Sequence, residues 1–369
     1  MLGSNAFVEL SGLRINRSWH RGKPFFGLWL ALLSAGALAQ STIHVPADVP
    51  TIQAGIERAA NGDTVLVSPG TYNENIDFKG KAITVTSGAT SFSGASAIII
   101  NGSGDGPVVA FQTGEVSSAV LNGFTIQGGH INADDCSRGG GVYVNAASPT
   151  LSNNAVINNA NYGIYVEGHS SPTIDSNNIR GNFYSGIGAT TCGARFTGVS
   201  GVGRGVSVVD ADSPQIVGNT IENNDVTRGL ISGQASAIGA GIYINRTHNV
   251  VLKNNIIRNN IAQGEPGIYV PFQYEVAQKL VIVQNLIYGN RPPDYAQTEY
   301  MGDQLQIAGG ITPRPTLIET NNTIYGGQSL VWHYGHSIIE NNIFANPARL
   351  PSFCGTLLLS ASGTRAVLI

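Results

Sequence analysis

The stretch Leu151-Ser152-Asn153-Asn154-Ala155-Val156-Ile157-Asn158-Asn159 decides the fold. It sets an aliphatic residue, Asn three positions on, an aliphatic two further, and Asn three further again. The phrase returns as Ile174, Asn177, Ile179, Asn182, and as Ile216, Asn219, Ile221, Asn224. It returns again as Leu252, Asn255, Ile257, Asn260, and as Ile282, Asn285, Ile287, Asn290. Two looser copies follow: Leu317 or Ile318 with Asn322 and Ile324, then Ile338, Asn341, Ile343, Asn346. Counted on the first Asn, the spacings are 23, 42, 36, 30, 37 and 19 residues.

A helical repeat keeps its period and spaces apolar residues by three to four. Here the aliphatics alternate at two, with β-branched Ile and Val dominant, as in strands. All the length variation falls between fixed strand phrases. A right-handed coil of three short strands per turn behaves this way, each coil stacked ~4.8 Å from the last so that equivalent residues form ladders. The chain is therefore expected to be all-β, a right-handed parallel β-helix of about nine to eleven coils. Asn at a coil corner tolerates the left-handed conformation, and its amide can bond the Asn above and below. An Asn-rich disordered segment is excluded because every Asn pair is phased to aliphatics.

A second phrase precedes the first: Gly141-Val142-Tyr143-Val144, Gly163-Ile164-Tyr165-Val166, Gly205-Val206-Ser207-Val208, Gly241-Ile242-Tyr243-Ile244 and Gly267-Ile268-Tyr269-Val270. Alternation turns the aliphatics inward and the tyrosines outward on one face. Ser-Pro pairs at 148–149, 171–172 and 213–214 suit strand starts.

Charged residues make up only 12% of the chain, and there are 47 Gly. Arg21 to Gln40 reads as a secretory signal, with Arg21 and Lys23 at its start, an apolar run from Phe25 to Leu33, and Ala37-Leu38-Ala39 as the cleavage site. The run is too short to span a membrane. Cleavage removes Glu9, Arg14, Arg17, Arg21 and Lys23, leaving 22 acidic and 16 basic side chains, a net charge of −6. That balance argues against nucleic acid as a partner. Export permits a disulfide, with Cys136 and Cys192 as candidates and Cys354 as the third cysteine.

Residues 1–39 are thus expected as leader and signal, 40–105 as an N-terminal cap and first coils, 106–346 as the repeats, and 347–369 as an irregular tail. In the cap, Thr51 to Ala60 reads as a short amphipathic helix with Thr51 as N-cap and Ile52, Ile56 and Ala59 on its inner side.

The stretch Ile43-His44-Val45-Pro46 … Pro50-Thr51-Ile52-Gln53-Ala54-Gly55-Ile56 … Gly62-Asp63-Thr64-Val65-Leu66-Val67 … Pro69-Gly70-Thr71-Tyr72 resembles the opening of exported bacterial right-handed parallel β-helix repeat proteins of the pectate-lyase-like superfamily. Leu121-Asn122-Gly123-Phe124-Thr125-Ile126 and the Asn phrases look like the same family. The resemblance covers roughly residues 42–346 and implies the fold, export, and a polysaccharide as partner. It is similar to pectin methylesterases at the opening, but the Gly-x-x-Asp-Phe-x-x-Gly phrase that carries their catalytic Asp is absent. The nearest text is Asn75-Ile76-Asp77-Phe78-Lys79-Gly80, so esterase activity is not expected.

Two surfaces are candidates for chemistry. Val166 to Ile174, Val208 to Ile216 and Ile244 to Leu252 are each eight apart, so equal offsets are expected to stack. One column then reads Gly168, Asp210, Arg246 and the next Ser170, Asp212, His248, with Glu167 and His169 one coil away. Asp210, Asp212, Arg246 and His248 together have the chemistry to bind a cation, with Ca2+ the candidate, or to take a proton from a uronic acid. The alternative is a set of weak surface ion pairs. No Cys/His cluster has zinc-ligand spacing. Tyr143, Tyr165, Tyr243 and Tyr269, with Glu167, form the second candidate, an aromatic platform for sugar rings, or else ordinary cross-strand pairs. The insertions at 130–139, 183–204, 226–240 and 291–303 are the expected groove walls. Two functions follow: a secreted protein that binds extracellular polysaccharide or cell-surface glycan, cleaving it as a lyase or hydrolase if it is an enzyme, or a non-enzymatic adhesin or matrix solenoid.

Overall fold

Among the described residues the chain forms three parallel sheets of 11, 10 and 11 strands, and through most of it the partners within a sheet are every third strand in sequence. The backbone therefore visits the sheets in rotation, one coil per three strands, as the alternating aliphatics require. The computed structural model describes residues 40–369 except 89–97, 104–105, 131–139, 185–203, 229–237, 272–278, 294–302, 309–315, 327, 333–335, 346–351, 355–366 and 369. The signal segment and Cys136 and Cys192 lie outside the described residues, as do most of the four insertions.

Register follows the repeat. Leu151 pairs with Ile174, Ile174 with Ile216, Ile216 with Leu252 and Leu252 with Ile282. These side chains are buried, 0 to 1% exposed, in one continuous aliphatic column. The looser copies shift by one. Ile339, and not Ile338, faces the interior, and Asn342, and not Asn341, enters the ladder. In the copy before it, Leu317 is buried and Glu319 occupies the position three before Asn322.

The Asn phrase divides its two jobs between neighbours. Asn154, Asn177, Asn219, Asn255, Asn285, Asn322 and Asn342 point inward and are at most 2% exposed. Each Oδ1 from Asn177 onward accepts both the backbone N–H and the side-chain amide of the preceding coil's Asn, at 2.9–3.1 Å. The left-handed conformation falls instead on the residue before, as at Asn153, Ser176, Gly218, Asn254, Gln284, Asn321 and Asn341. A second ladder runs Asn159, Asn182, Asn224, Asn260, Asn290 and ends on Gln304. Buried amides bonded on every side are stable in an apolar interior where unpaired ones are not.

The glycines that open the Tyr phrase have a steric cause. A Cβ on Gly163 would lie 2.7 Å from the Gly205 carbonyl oxygen, and one on Gly205 2.4 Å from that of Gly241. No side chain fits between coils there.

The helix Ile52–Arg58 closes the first coil, with Thr51 as N-cap accepting from Ala54 N. Ile52, Ile56 and Ala59 are buried as expected. Both helix ends are held by the first coil. Glu74 accepts from the Ile52 and Gln53 N–H groups at 2.9 Å, and Lys81 Nζ donates to the carbonyls of Ile56, Glu57 and Ala59. A carboxylate at the N-terminus and an ammonium at the C-terminus both match the helix dipole. At the far end, Ser352–Cys354 and Val367–Leu368 each add a parallel strand to a sheet.

Candidate functional site

The site is the corner where the strands Ile164–Glu167, Val206–Val209 and Ile242–Asn245 turn toward the next sheet. Asp210 and Arg246 meet as their column requires. Arg246 Nε donates to Asp210 Oδ1 at 2.7 Å and Nη2 to Oδ2 at 2.6 Å, a two-pronged ion pair on an exposed surface. The Asp210 carboxylate raises the Arg246 pKa.

The second column is corrected. Ser170 is fully buried, and its coil-to-coil counterparts are the buried Ala147, Ala211 and Thr247. Counting from the last inward aliphatic, these lie three residues on in the coils of Val144, Val208 and Ile244 but four in the coil of Val166. Gly168 and His169, both with positive φ, accommodate the extra residue. The next stretch is one shorter there, so the spacing of eight survives while the corner slips. Ser170 Oγ turns in, donating to Glu167 O and accepting from Ala147 N.

His169 is thereby carried out beside Asp212. Its Nδ1 lies 3.1 Å from Asp212 Oδ1, and His248 Nδ1 lies 3.1 Å from the same oxygen. The two imidazole rings face each other at 6.4 Å between centroids and 27° between planes. Possible ligand atoms of His169, Asp212 and His248 all lie within 4.8 Å of one another. Counting alone sets Asp212 beside His248 but puts Ser170, not His169, in their column on the neighbouring coil. The signal for it was the Gly168-His169 pair, a turn one residue longer than its neighbours.

The tyrosines do not form an open platform. Alternation does turn them out of the coil, and the Tyr143 and Tyr165 rings stack at 6.1 Å and 7°. But Tyr143, Tyr165 and Tyr243 are only 2–5% exposed, packed with Tyr162, Val209 and Ile238 in a second apolar layer outside the sheet; Tyr269 is half-buried at its edge. The described ends of two insertions meet this layer, Ile238 from one and, from the other, Arg204 beside Tyr162. Arg204 is itself buried and lies over the rings of Tyr162 and Tyr184, with Nη1 donating to Asn161 O. Burial lowers its pKa. Burial likewise raises the pKa of Tyr165 and Tyr243, and that of Tyr269 is pushed up to about 12. The hydroxyls of Tyr143 and Tyr165 donate to the two oxygens of half-buried Glu167, at 2.5 and 3.2 Å. Glu167 thus anchors the aromatic layer to the rim of the corner.

Residues 72–312 match the family model described as "Right handed beta helix region". The chain belongs to that family. No curated protein matches it. Among solved structures, the crystal structure of pectate lyase Pel9A aligns over 87% of this chain and 78% of that one, at 14% identity and a TM-score of 0.39. At that level of likeness nothing about chemistry passes from one protein to the other. No described helix is long and apolar enough to cross a membrane.

Proposed function

We propose that this β-helix protein is exported and binds an acidic extracellular polysaccharide along the corner of Glu167, His169, Asp210, Asp212, Arg246 and His248. The observation that supports this reading is the row itself. Three successive coils, ~4.8 Å apart, present charged and imidazole groups in line along the solenoid, all at least partly open to solvent. A polymer lying along the axis meets such groups at each coil, and the imidazoles and guanidinium suit carboxylate and hydroxyl ligands. With Tyr143, Tyr165 and Tyr243 buried, this reading rests on the rim and on half-buried Tyr269.

Binding without cleavage ranks first, and the adhesin or matrix reading differs from it only in what is attached. On the corner, Asp210 is engaged by Arg246, and Asp212 by two imidazoles. A general base needs a free carboxylate or imidazole within reach of the substrate proton. The test is affinity electrophoresis against uronate-containing and neutral polysaccharides, with an absorbance screen for unsaturated products. Retardation by uronate polymers, lost in Arg246→Ala, supports the reading. Equal mobility of parent and variant in every polymer refutes it. Release of unsaturated uronates, abolished in Asp212→Ala, would move the protein to the lyases.

A further inference from the structure

We propose that His169, Asp212 and His248 form a binding site for a divalent transition-metal ion of the zinc, nickel or copper class. The site stands on its own geometry and does not depend on the polysaccharide reading.

The donor set points to that class. Two imidazole nitrogens and one carboxylate suit zinc, copper and nickel, whereas calcium takes six to eight oxygens. Ca2+, the candidate cation from sequence, is therefore a poorer match to this donor set. The spacing also fits. Around a tetrahedral zinc with bonds of ~2.0–2.1 Å, adjacent ligand atoms stand roughly 3.3 Å apart. Both Nδ1–Oδ1 separations are 3.1 Å. The possible ligand atoms of all three residues lie within 4.8 Å of one another, so a rotation of the two rings brings them onto one ion.

The three residues are also held in place by the coil stacking. His169 N donates to Asp210 O at 2.6 Å, Asp212 N to Ser170 O at 2.9 Å and His248 N to Ala211 O at 3.1 Å. Each ligand's backbone is thus tied to the neighbouring coil before any ion arrives. His169 reaches the site only because Gly168 and His169 both take the left-handed conformation, at φ 69° and 59°. That conformation is unfavourable for a non-glycine residue. Three protein ligands leave a coordination position open, and the corner turns it to solvent, where water or an anionic oxygen ligand can enter.

The test is isothermal titration of the chelator-treated full chain with ZnCl2, with CaCl2 as the comparison. One Zn2+ per chain is expected, with no matching heat from Ca2+. His169→Ala, Asp212→Ala and His248→Ala should each weaken binding by at least ~10-fold, as loss of even an outer-shell partner does. His44→Ala, at a separate exposed His–Asp pair, should leave it unchanged. Co2+ gives a second readout, a visible absorption band that disappears in His248→Ala. If Asp212→Ala disturbs the fold, His169→Ala decides alone, since its side chain is 76% exposed. Absence of one-to-one binding overturns the proposal. So does Zn2+ affinity that survives all three substitutions, which marks scattered surface histidines as the binders.

Discussion

Glu319 is the residue most at odds with its surroundings. It stands three before Asn322, where the other ladder coils carry Leu151, Ile174, Ile216, Leu252, Ile282 and Ile339. It pairs with Ile282 on one side and Ile339 on the other. It is fully buried, and neither carboxyl oxygen has a hydrogen-bond partner among the described residues. Burial alone pushes its pKa from 4.5 up to about 7. The unfolded chain releases this proton near pH 4.5 and the folded chain only near 7. Stability is therefore fully retained below pH 4.5, falls as pH rises between the two values, and stays lower above 7. At 1.36 kcal/mol per unit, the loss is about 3 kcal/mol.

Replacing Glu319 by Leu, the residue the repeat uses elsewhere, should remove this penalty. At pH 8 the variant should be more stable by ~4–6 kcal/mol, the ~3 kcal/mol of ionisation added to the cost of burying the neutral group without a partner. At pH 4 the gain should shrink to ~1–3 kcal/mol, the cost of a neutral polar group buried without a partner. Urea denaturation at both pH values measures the difference. Solenoids can unfold in segments, so hydrogen exchange in the strands Lys279–Val283 and His336–Glu340 should report the same gain locally. A gain that is equal at the two pH values, or a loss of stability at pH 8, refutes the reasoning.

Asn219→Ala breaks one ladder in its middle and leaves the Asn177 amide, the Asn177 N–H and the carbonyl of Ile174 without their partner. At ~1–3 kcal/mol per stranded group, a loss of roughly 3 kcal/mol or more in urea is expected, and a loss below ~1 contradicts the ladder's role. Gly205→Ala sets a methyl 2.4 Å from the Gly241 carbonyl oxygen, and the coils must part by ~2 kcal/mol or more on the scale of overpacking; an unchanged denaturation midpoint contradicts this. The covered tyrosines have raised pKa values, so between pH 10 and their folded values the unfolded chain ionises first and stability falls as pH rises. Phenolate absorbance should show Tyr269 titrating near 12 and Tyr165 only on unfolding; all 13 tyrosines titrating together at the ordinary phenol value with circular dichroism unchanged would contradict the buried layer.

The coil was legible because its determinants are local and repeated. Leu151, Asn154, Val156 and Asn159 each meet a copy of themselves, so periodicity in the chain becomes contact in space. The helix Ile52–Arg58 was legible for the same reason, since its cap and apolar face are short-range signals. The corner was half legible. Asp210 and Arg246 share a register that counting finds, whereas the slip at Gly168-His169 is cancelled before Ile174 and leaves the count unchanged. Only the burial of Ser170 beside Ala211 and Thr247 reveals it. The fate of Tyr143, Tyr165 and Tyr243 was not legible. Alternation says which way a side chain leaves a strand, but not what an insertion dozens of residues away lays over it. Glu319 was hidden because the tolerant form of the phrase, Leu317 or Ile318, passes over the position it fills.

Neighbouring coils place residues 36 apart at contact distance, and cross-linking tests this most directly. Asp210→Cys combined with Arg246→Cys sets two thiols on adjacent coils, where backbones ~4.8 Å apart fall within the range a disulfide spans. Under mild oxidation, peptide mapping should recover the 210–246 cross-link in high yield from native protein and lose it in urea. Native protein that forms no such bond, or joins position 210 to another cysteine instead, would contradict the stacking on which the corner, its ion pair and its three-residue cluster all rest.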